Sequence, residues 1–188
     1  MKSPGAIAAI VGVAGRRTDA PGSTPERFPL RNLDRVRHAI AAVLAELPTP
    51  VTIASAACGT DLLALEAAGA LGIRCRVILP FPPDRFRSSS VTDRPGDWGP
   101  LFDMLIGAAA ARGDLVVLDS GPASDDDAYA RTNAAILDEG DALAAAAHAS
   151  RIAIVAWEGA SRGADDLTEQ FRSSAASRGW TIRDIATQ

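Results

Sequence analysis

Six short apolar runs alternate along this chain with longer segments of helical hydrophobic period, and this alternation restricts the fold more than any other feature. The first run, residues 6–13, is almost continuously apolar, which is typical of a strand buried on both faces of a parallel sheet. Strands are predicted at residues 6–13, 51–54, 73–79, 115–118, 152–157 and 179–185. The pattern predicts an α/β fold, a three-layer Rossmann-like doubly wound domain with a mainly parallel sheet and right-handed crossovers, over residues 1–188.

The segments between these runs divide into helices and two irregular stretches. Helices are predicted at residues 33–47, 60–71, 98–111, 128–147 and 165–177, the third of them capped by Asp97. Residues 18–29 and 84–96 show no periodicity and are rich in proline, glycine, serine and threonine. Long loops of this kind are usually functional or mobile.

Composition excludes several classes of function. The net charge is −4, so bulk electrostatic capture of nucleic acid is not expected. Two cysteines without a CxxC motif and two histidines argue against a metal site or a disulfide scaffold, and no metal or cofactor is expected. Apolar runs stay far below the ~20 residues that a membrane span needs. Residues 5–15 suit a buried first strand better than a signal peptide, and we expect a cytoplasmic protein without a membrane partner.

In an open parallel sheet, ligands bind outside the carboxyl ends of the strands. This rule selects residues 15–17, 56–61, 81–93, 119–121 and 158–166. These segments carry arginines, hydroxyl groups, small turn residues and carboxylates, which suit a phosphorylated, sugar-containing small molecule. Neither GxGxxG nor GxxxxGK[ST] occurs, which argues against ordinary dinucleotide and P-loop sites.

The stretch from Ser55 to Glu66 joins the second strand to a helix through small residues. Small residues permit close approach of a ligand to the backbone, and the free amides of a first helical turn attract anions. Thr60 or Asp61 is expected to cap this turn by accepting from its amides. The alternative is a βα turn in which small residues serve packing alone.

Three further features have two interpretations each. Cys58 lies where a helix would activate a thiol, but a small structural cysteine is the favoured interpretation. The run 125–127 is acidic and suits a solvated helix start better than a cation site. Trp157 is expected in the core, with a base-stacking floor as the alternative, and at most two of Tyr129, Arg131 and Asn133 can face one cleft.

Four motifs in order resemble the SLOG superfamily of Rossmann-like proteins, which includes the "Lonely guy" phosphoribohydrolases and the DNA-processing protein A fold. Residues 11–17 resemble a first strand ending in Gly-His-Arg, with Arg16 in place of the histidine. Residues 55–61 resemble a small-residue turn ending in Gly-Ala-Asp, and residues 79–86 a Leu-Pro-x-Pro segment. Residues 157–166 resemble Trp-Asp-Gly followed by a phosphate-binding turn, with Arg162 replacing a glycine and Ala164 a threonine.

The resemblance implies a nucleotide-related ligand over the strand ends. Its phosphate is expected on the Gly59, Thr60 and Gly163 turns with Arg17 as a charge clamp, and ribose hydroxyls on carboxylates. In the hydrolase branch, an acidic residue of the last turn assists cleavage of the bond between base and ribose. The expected ligand-binding residues are Gly15, Arg17, Ser55, Gly59, Thr60, Asp61, Arg85, Ser89, Ser90, Asp119, Gly159 and Gly163, and the expected catalytic residues are Asp166 and Glu158.

Three functions therefore remain open at the level of the sequence. The first is a binding or sensing module for a nucleotide-like small molecule, without turnover. The second is a hydrolase of the N-glycosidic bond of a nucleoside monophosphate, and the third is a non-catalytic scaffold. The alanine-rich helix 128–147 also allows a homodimer, because small residues permit close approach of helices.

Overall fold

The strand order of the sheet defines the architecture. A computed structural model describes residues 6–118 and 124–188 of the chain. The strands are β1 (Ala9–Gly15), β2 (Pro50–Ala54), β3 (Arg74–Leu79), β4 (Leu115–Val117), β5 (Ser150–Trp157) and β6 (Thr181–Ala186). They pair in the order β4-β3-β2-β1-β5-β6, with every pairing parallel. The order reverses beside β1, so the switch point of the sheet lies between β1 and β5.

Helices cover both faces of this sheet. They are α1 (Leu33–Glu46), α2 (Thr60–Ala70), α3 (Pro83–Ser90), α4 (Gly99–Ala111), α5 (Asp125–Ala147) and α6 (Leu167–Ser177). Alternate side chains of β1 point to opposite faces: Val11 and Val13 pack with α1, α2 and α4, whereas Ile10 and Ala14 pack with α5 and α6. The predicted three-layer α/β fold with a parallel sheet is confirmed.

The predicted irregular segment 84–96 is wrong in its first half, where α3 forms. Pro83 stands at the first position of this helix, where its missing N–H is not needed and its fixed φ suits the helix. Phe86 and Ser90 are the buried residues of the helix, so tertiary packing completes what the proline begins.

The predicted Asp97 cap of α4 is also wrong. The N-cap residue is Trp98, with no side-chain cap, and its buried indole donates to the Pro95 carbonyl at 2.9 Å. The other boundaries move by up to three residues, most in β1 and at the start of α5, where Ser124 caps the helix by accepting from the Asp127 amide.

Within residues 6–118 and 124–188, no helix combines the length and apolar character needed to cross a membrane. The same part of the chain holds no group of three or more histidine, cysteine, aspartate or glutamate side chains arranged to bind a metal ion.

Candidate functional site

A cavity of about 480 Å³ opens at the carboxyl ends of β1 and β2. Its walls come from the loop after β1, the start of α2, the end of α3, and the first turns of α5 and α6. Polar and charged side chains dominate the lining: Arg16, Arg17, Thr18, Asp19, Ser23, Thr24, Arg27, Ser55, Asp61, Ser90, Arg94, Asp126, Tyr129, Thr132, Asn133, Arg162 and Thr168. The cavity therefore lies where the fold places ligands and suits a polar, charged small molecule.

Arg16, directly after β1, joins the loops that follow β1 and β5. Its guanidinium binds Asp166 through Nη1 at 2.6 Å and Nη2 at 2.8 Å, and Glu158 through Nε at 2.5 Å and Nη2 at 3.0 Å. Arg16 is 4% exposed, and the two carboxylate side chains are 7% and 0% exposed. Two bidentate, charge-assisted contacts of this kind hold a planar guanidinium in one orientation.

Asp166 also caps α6. Its Oδ1 accepts from the amides of Thr168 and Glu169, and its Oδ2 accepts from the Arg162 amide. Burial alone would raise the pKa of Asp166, but Arg16 and these amides hold the pKa well below its usual range. The carboxylate is thus ionised and fully engaged at the start of α6.

Glu158 is shared between Arg16 and Arg27, whose Nη1 lies 2.8 Å from Oε1. Burial opposes the charged form, yet these arginines lower the pKa of Glu158. Arg27 belongs to the loop 18–29, which Asp19 closes by accepting from the amides of Arg27 and Phe28. Phe28 is fully buried, so this long loop is an anchored wall of the cavity.

The turn between β2 and α2 differs from its predicted capping. Gly59 is the N-cap residue with φ of 92°, and a β-carbon there would stand 2.8 Å from the Arg16 carbonyl. Thr60 does not cap the helix: its amide and its hydroxyl both donate to that same carbonyl. The turn requires glycine because it packs directly against the loop after β1.

Asp61 lies in the first turn of α2 and lines the cavity. Its Oδ2 accepts from the Ala57 amide at 3.2 Å. Burial raises the pKa of Asp61 to about 7, although the Ala57 amide and the charge of Arg17 act in the opposite direction. A buried carboxyl that changes protonation near neutral pH can donate or accept a proton at the wall of the cavity.

Arg17 and Arg94 reach the cavity from opposite loops and meet at Asp93. Arg17 Nη2 donates to Asp93 Oδ1, and Arg94 Nε lies 3.6 Å from Asp93 Oδ2. Although burial disfavours the charge, the contacts with Asp93 and Cys58 raise the pKa of Arg17. One carboxylate therefore serves two guanidiniums at this edge of the cavity.

The first turns of α5 supply the opposite wall. Tyr129 and Asn133, one helical turn apart, line the cavity and Arg131 does not, in agreement with the prediction that at most two of the three face one cleft. The Tyr129 hydroxyl lies 2.8 Å from Ser90 Oγ, and Asn133 Nδ2 donates to the Leu167 carbonyl. These bonds join α5 to α3 and α6 around the cavity.

The predicted site residues that the structure describes divide into two groups. Gly15, Arg17, Ser55, Asp61 and Ser90 line the cavity. The cavity lining does not include Gly59, Thr60, Arg85, Ser89, Gly159, Gly163, Glu158 or Asp166. The guanidinium carbon of Arg85 instead lies 3.6 Å from the centroid of the Phe81 ring, and Arg85 also binds Asp125. Asp119 lies outside the described residues.

Sequence reasoning missed several lining residues, chiefly Asp19 and Arg27 of the loop 18–29, Arg94, and the start of α6. The unusual length of the loop 18–29 was the sequence feature that could have indicated these residues. Cys58 is fully buried and outside the cavity lining, as expected of a structural cysteine. Trp157 is half-buried at the end of β5, where its Nε1 donates to Asp184, and it is not part of the lining.

No model of a known protein family matches the chain, and no curated protein sequence matches it. Among solved structures, it is similar to DNA processing protein A from Streptococcus pneumoniae, with 16% identity and a TM-score of 0.36. The match covers 94% of this chain and 58% of that one, so the chain spans little more than half the length of that protein. Nothing about a ligand or an activity follows from a similarity at this level.

Proposed function

We propose that this chain binds or senses a nucleotide or a nucleotide-derived phosphorylated molecule in the cavity, without turning it over. The observation that carries the proposal is the lining: Arg17 and Arg94 at one edge, and Asp61 with several hydroxyl groups at the wall. Guanidiniums suit phosphate, and a carboxyl group suits ribose hydroxyls. The order of the four motifs along the chain supports a relation to the SLOG superfamily within the same proposal.

The proposal of binding without turnover is supported by the state of the two carboxylates that the resemblance assigns to catalysis. Arg16 binds both Glu158 and Asp166 with two contacts each, and Asp166 also accepts from three amides. A carboxylate with its lone pairs engaged and its charge balanced is poorly suited to stabilise a developing ribosyl cation.

The test is binding by calorimetry and thermal shift with nucleoside monophosphates and ADP-ribose. Saturating ligand is expected to raise the melting temperature, because it binds the folded state alone. R17Q is expected to weaken binding by about tenfold. R87Q is the matched control, because Arg87 pairs with exposed Asp103 outside the cavity lining. If none of these molecules binds, the scaffold hypothesis remains.

One observation favours the hydrolase as a second candidate, namely Asp61. A protonated Asp61 can give its proton to the departing base as the C–N bond breaks, while water forms a C–O bond to the ribose carbon and returns one proton to Asp61, which leaves free base, ribose phosphate and a neutral carboxyl group. Incubation with nucleoside monophosphates followed by chromatography for free base tests this reaction. Release of base by the wild type that D61N abolishes would replace the sensing proposal with the hydrolase.

A further inference from the structure

The phosphate of the proposed ligand needs donors, and the helix starts at this edge of the sheet have little to offer. The amides of Thr168 and Glu169 in α6 already donate to Asp166. In α2, the amide of Thr60 donates to the Arg16 carbonyl. The anion-binding capacity of these two helix starts is largely taken by the protein itself, and the first turn of α5 carries the acidic residues 125–127, so other side chains must supply the charge.

The arginines at the cavity differ in how firmly their carboxylate partners are held. Arg16 and Arg27 bind Glu158, whose side chain is 7% exposed, and Arg16 and Arg162 approach Asp166, whose side chain is fully buried. Removing either carboxylate from its arginines would leave a buried charge unpaired, which is costly. Arg16 is therefore committed to the protein, and Arg27 and Arg162 each face a carboxylate that is buried.

Arg17 and Arg94 differ from them because their shared partner, Asp93, has a side chain that is one-third exposed. Asp93 stands outside the cavity lining, whereas both arginines belong to it. Within the described part of the chain, Arg17 Nε is buried and has no hydrogen-bond partner. The pair thus has donor capacity beyond what one carboxylate uses, and ion pairs whose partners are partly exposed are weak enough to exchange.

We propose that Arg17 and Arg94 form the phosphate subsite of the cavity, and that Asp93 pairs with both guanidiniums in the free protein and releases them when a phosphoryl group binds. The inference rests on the proposed function, for which it names the group that recognises phosphate. A phosphoryl group can accept from both guanidiniums, whereas Asp93 accepts from Arg17 and lies 3.6 Å from Arg94 Nε. Asp93 is then a built-in competitor that lowers affinity for anions.

Calorimetric titration with inorganic pyrophosphate and with ADP-ribose, at one fixed ionic strength, tests this subsite. D93N removes the competing charge and is expected to tighten binding about two- to fivefold. R17Q and R94Q are each expected to weaken it by about tenfold. D103N is the matched control, because Asp103 pairs with Arg87 on the exposed surface and should leave binding unchanged.

A change of long-range potential is separated from direct competition by repeating D93N in an R17Q/R94Q background. Direct competition predicts that the gain disappears there, whereas a gain of unchanged size overturns the proposal. Each variant is also melted without ligand, and these partly exposed positions are expected to leave the melting temperature within a few degrees of the wild type.

The two proposals fail in different ways. If ADP-ribose binds the wild type and D93N brings no gain, the subsite is wrong and the proposed function stands. If D93N tightens pyrophosphate while no nucleotide binds any variant, the subsite stands and the proposed function fails. If neither probe nor any nucleoside monophosphate binds the wild type or D93N, both are wrong.

Discussion

The guanidinium of Arg16 holds together the loops at the carboxyl edge of the sheet. It is nearly inaccessible to solvent and joins the loop after β1 to Glu158 and Asp166 after β5. A buried ion pair adds little to the stability of a protein compared with well-packed apolar residues in its place. The loss of one partner, however, leaves an uncompensated charge in the low-dielectric interior, which is strongly destabilising. Here a single arginine balances two such carboxylates.

R16Q is therefore expected to lower the free energy of unfolding at pH 7 by about 3–5 kcal/mol. R16K keeps the positive charge but lacks the planar guanidinium. Its free energy of unfolding should therefore lie between those of the wild type and R16Q. Urea unfolding followed by far-UV circular dichroism measures the difference. An R16Q protein as stable as the wild type would contradict the structural role of the network.

The same network gives the prediction a pH dependence. The pKa values of Asp166 and Glu158 are lowered in the folded state, so their stabilising effect is present above their unfolded pKa and is lost as the pH falls through the folded values. The difference in free energy of unfolding between the wild type and R16Q should consequently decrease as the pH is lowered below ~4.

The contribution of Asp61 to stability has the opposite dependence on pH. Its pKa is raised to about 7, so between the unfolded pKa near 4 and about 7 the folded chain holds a proton that the unfolded chain releases. This contribution to stability is complete below the unfolded pKa and is lost as the pH rises through 7. D61N keeps an oxygen for the Ala57 amide and cannot ionise, so its stability relative to the wild type should increase from pH 5 to pH 8. Urea midpoints at both pH values measure this, and a constant difference would show that Asp61 does not titrate there.

At the scale of the element, α5 packs against β1 and the Trp180 side chain through Gly140. A β-carbon at Gly140 would meet Trp180 Cη2 at 2.3 Å, whereas a β-carbon at Gly107 of α4 meets nothing within 4 Å. Both glycines lie inside helices, where alanine is intrinsically better by roughly 1 kcal/mol.

G107A is thus expected to stabilise the protein by about 0.5–1 kcal/mol, because propensity alone decides there. G140A is expected to destabilise it by about 1–3 kcal/mol, since the overpacking at Trp180 exceeds that gain. Thermal and urea unfolding of the two variants side by side make the comparison. An equal gain in both would mean that α5 does not approach Trp180 so closely.

Local pattern was sufficient to predict the sheet, because each strand is a separate apolar run of the right length between breakers. It was insufficient for α3, because residues 84–96 show no hydrophobic period, although Pro83 suits a first helical turn. The decisive information was the burial of Phe86 and Ser90 against other elements, which is a property of the tertiary structure.

The cavity lies at the edge of the sheet that the switch-point rule selects, but its individual lining residues were predicted less well. The switch-point rule locates loops, whereas the partner of each charge depends on how the loops meet. Arg16 captures Glu158 and Asp166 across 142 and 150 positions of sequence. No spacing motif encodes such a pairing, so carboxylates that sequence reasoning assigned to chemistry stand in a structural network.

At the scale of the whole molecule, the sheet separates two apolar cores. Trp98 belongs to the core shared with α1, α2 and α4, and Trp180 to the core shared with α5 and α6. Both cores contain alternating side chains of β1, so neither can lose its packing without disturbing the strand that supports the other. Unfolding is accordingly expected to be cooperative across the full chain.

Two double variants report on the two cores separately: W157F/W180F leaves Trp98 as the fluorophore, and W98F/W157F leaves Trp180. Both indoles are about 95% buried, at 5% and 4% exposed, so exposure of either gives a clear change in emission. In each variant the urea midpoint from fluorescence is expected to equal the midpoint from circular dichroism, because the shared central strand couples the cores. The comparison is made within a variant, so the packing lost with each substituted tryptophan does not affect it. A fluorescence midpoint that departs from the dichroism midpoint in one variant alone would mean that the two faces of the sheet unfold independently.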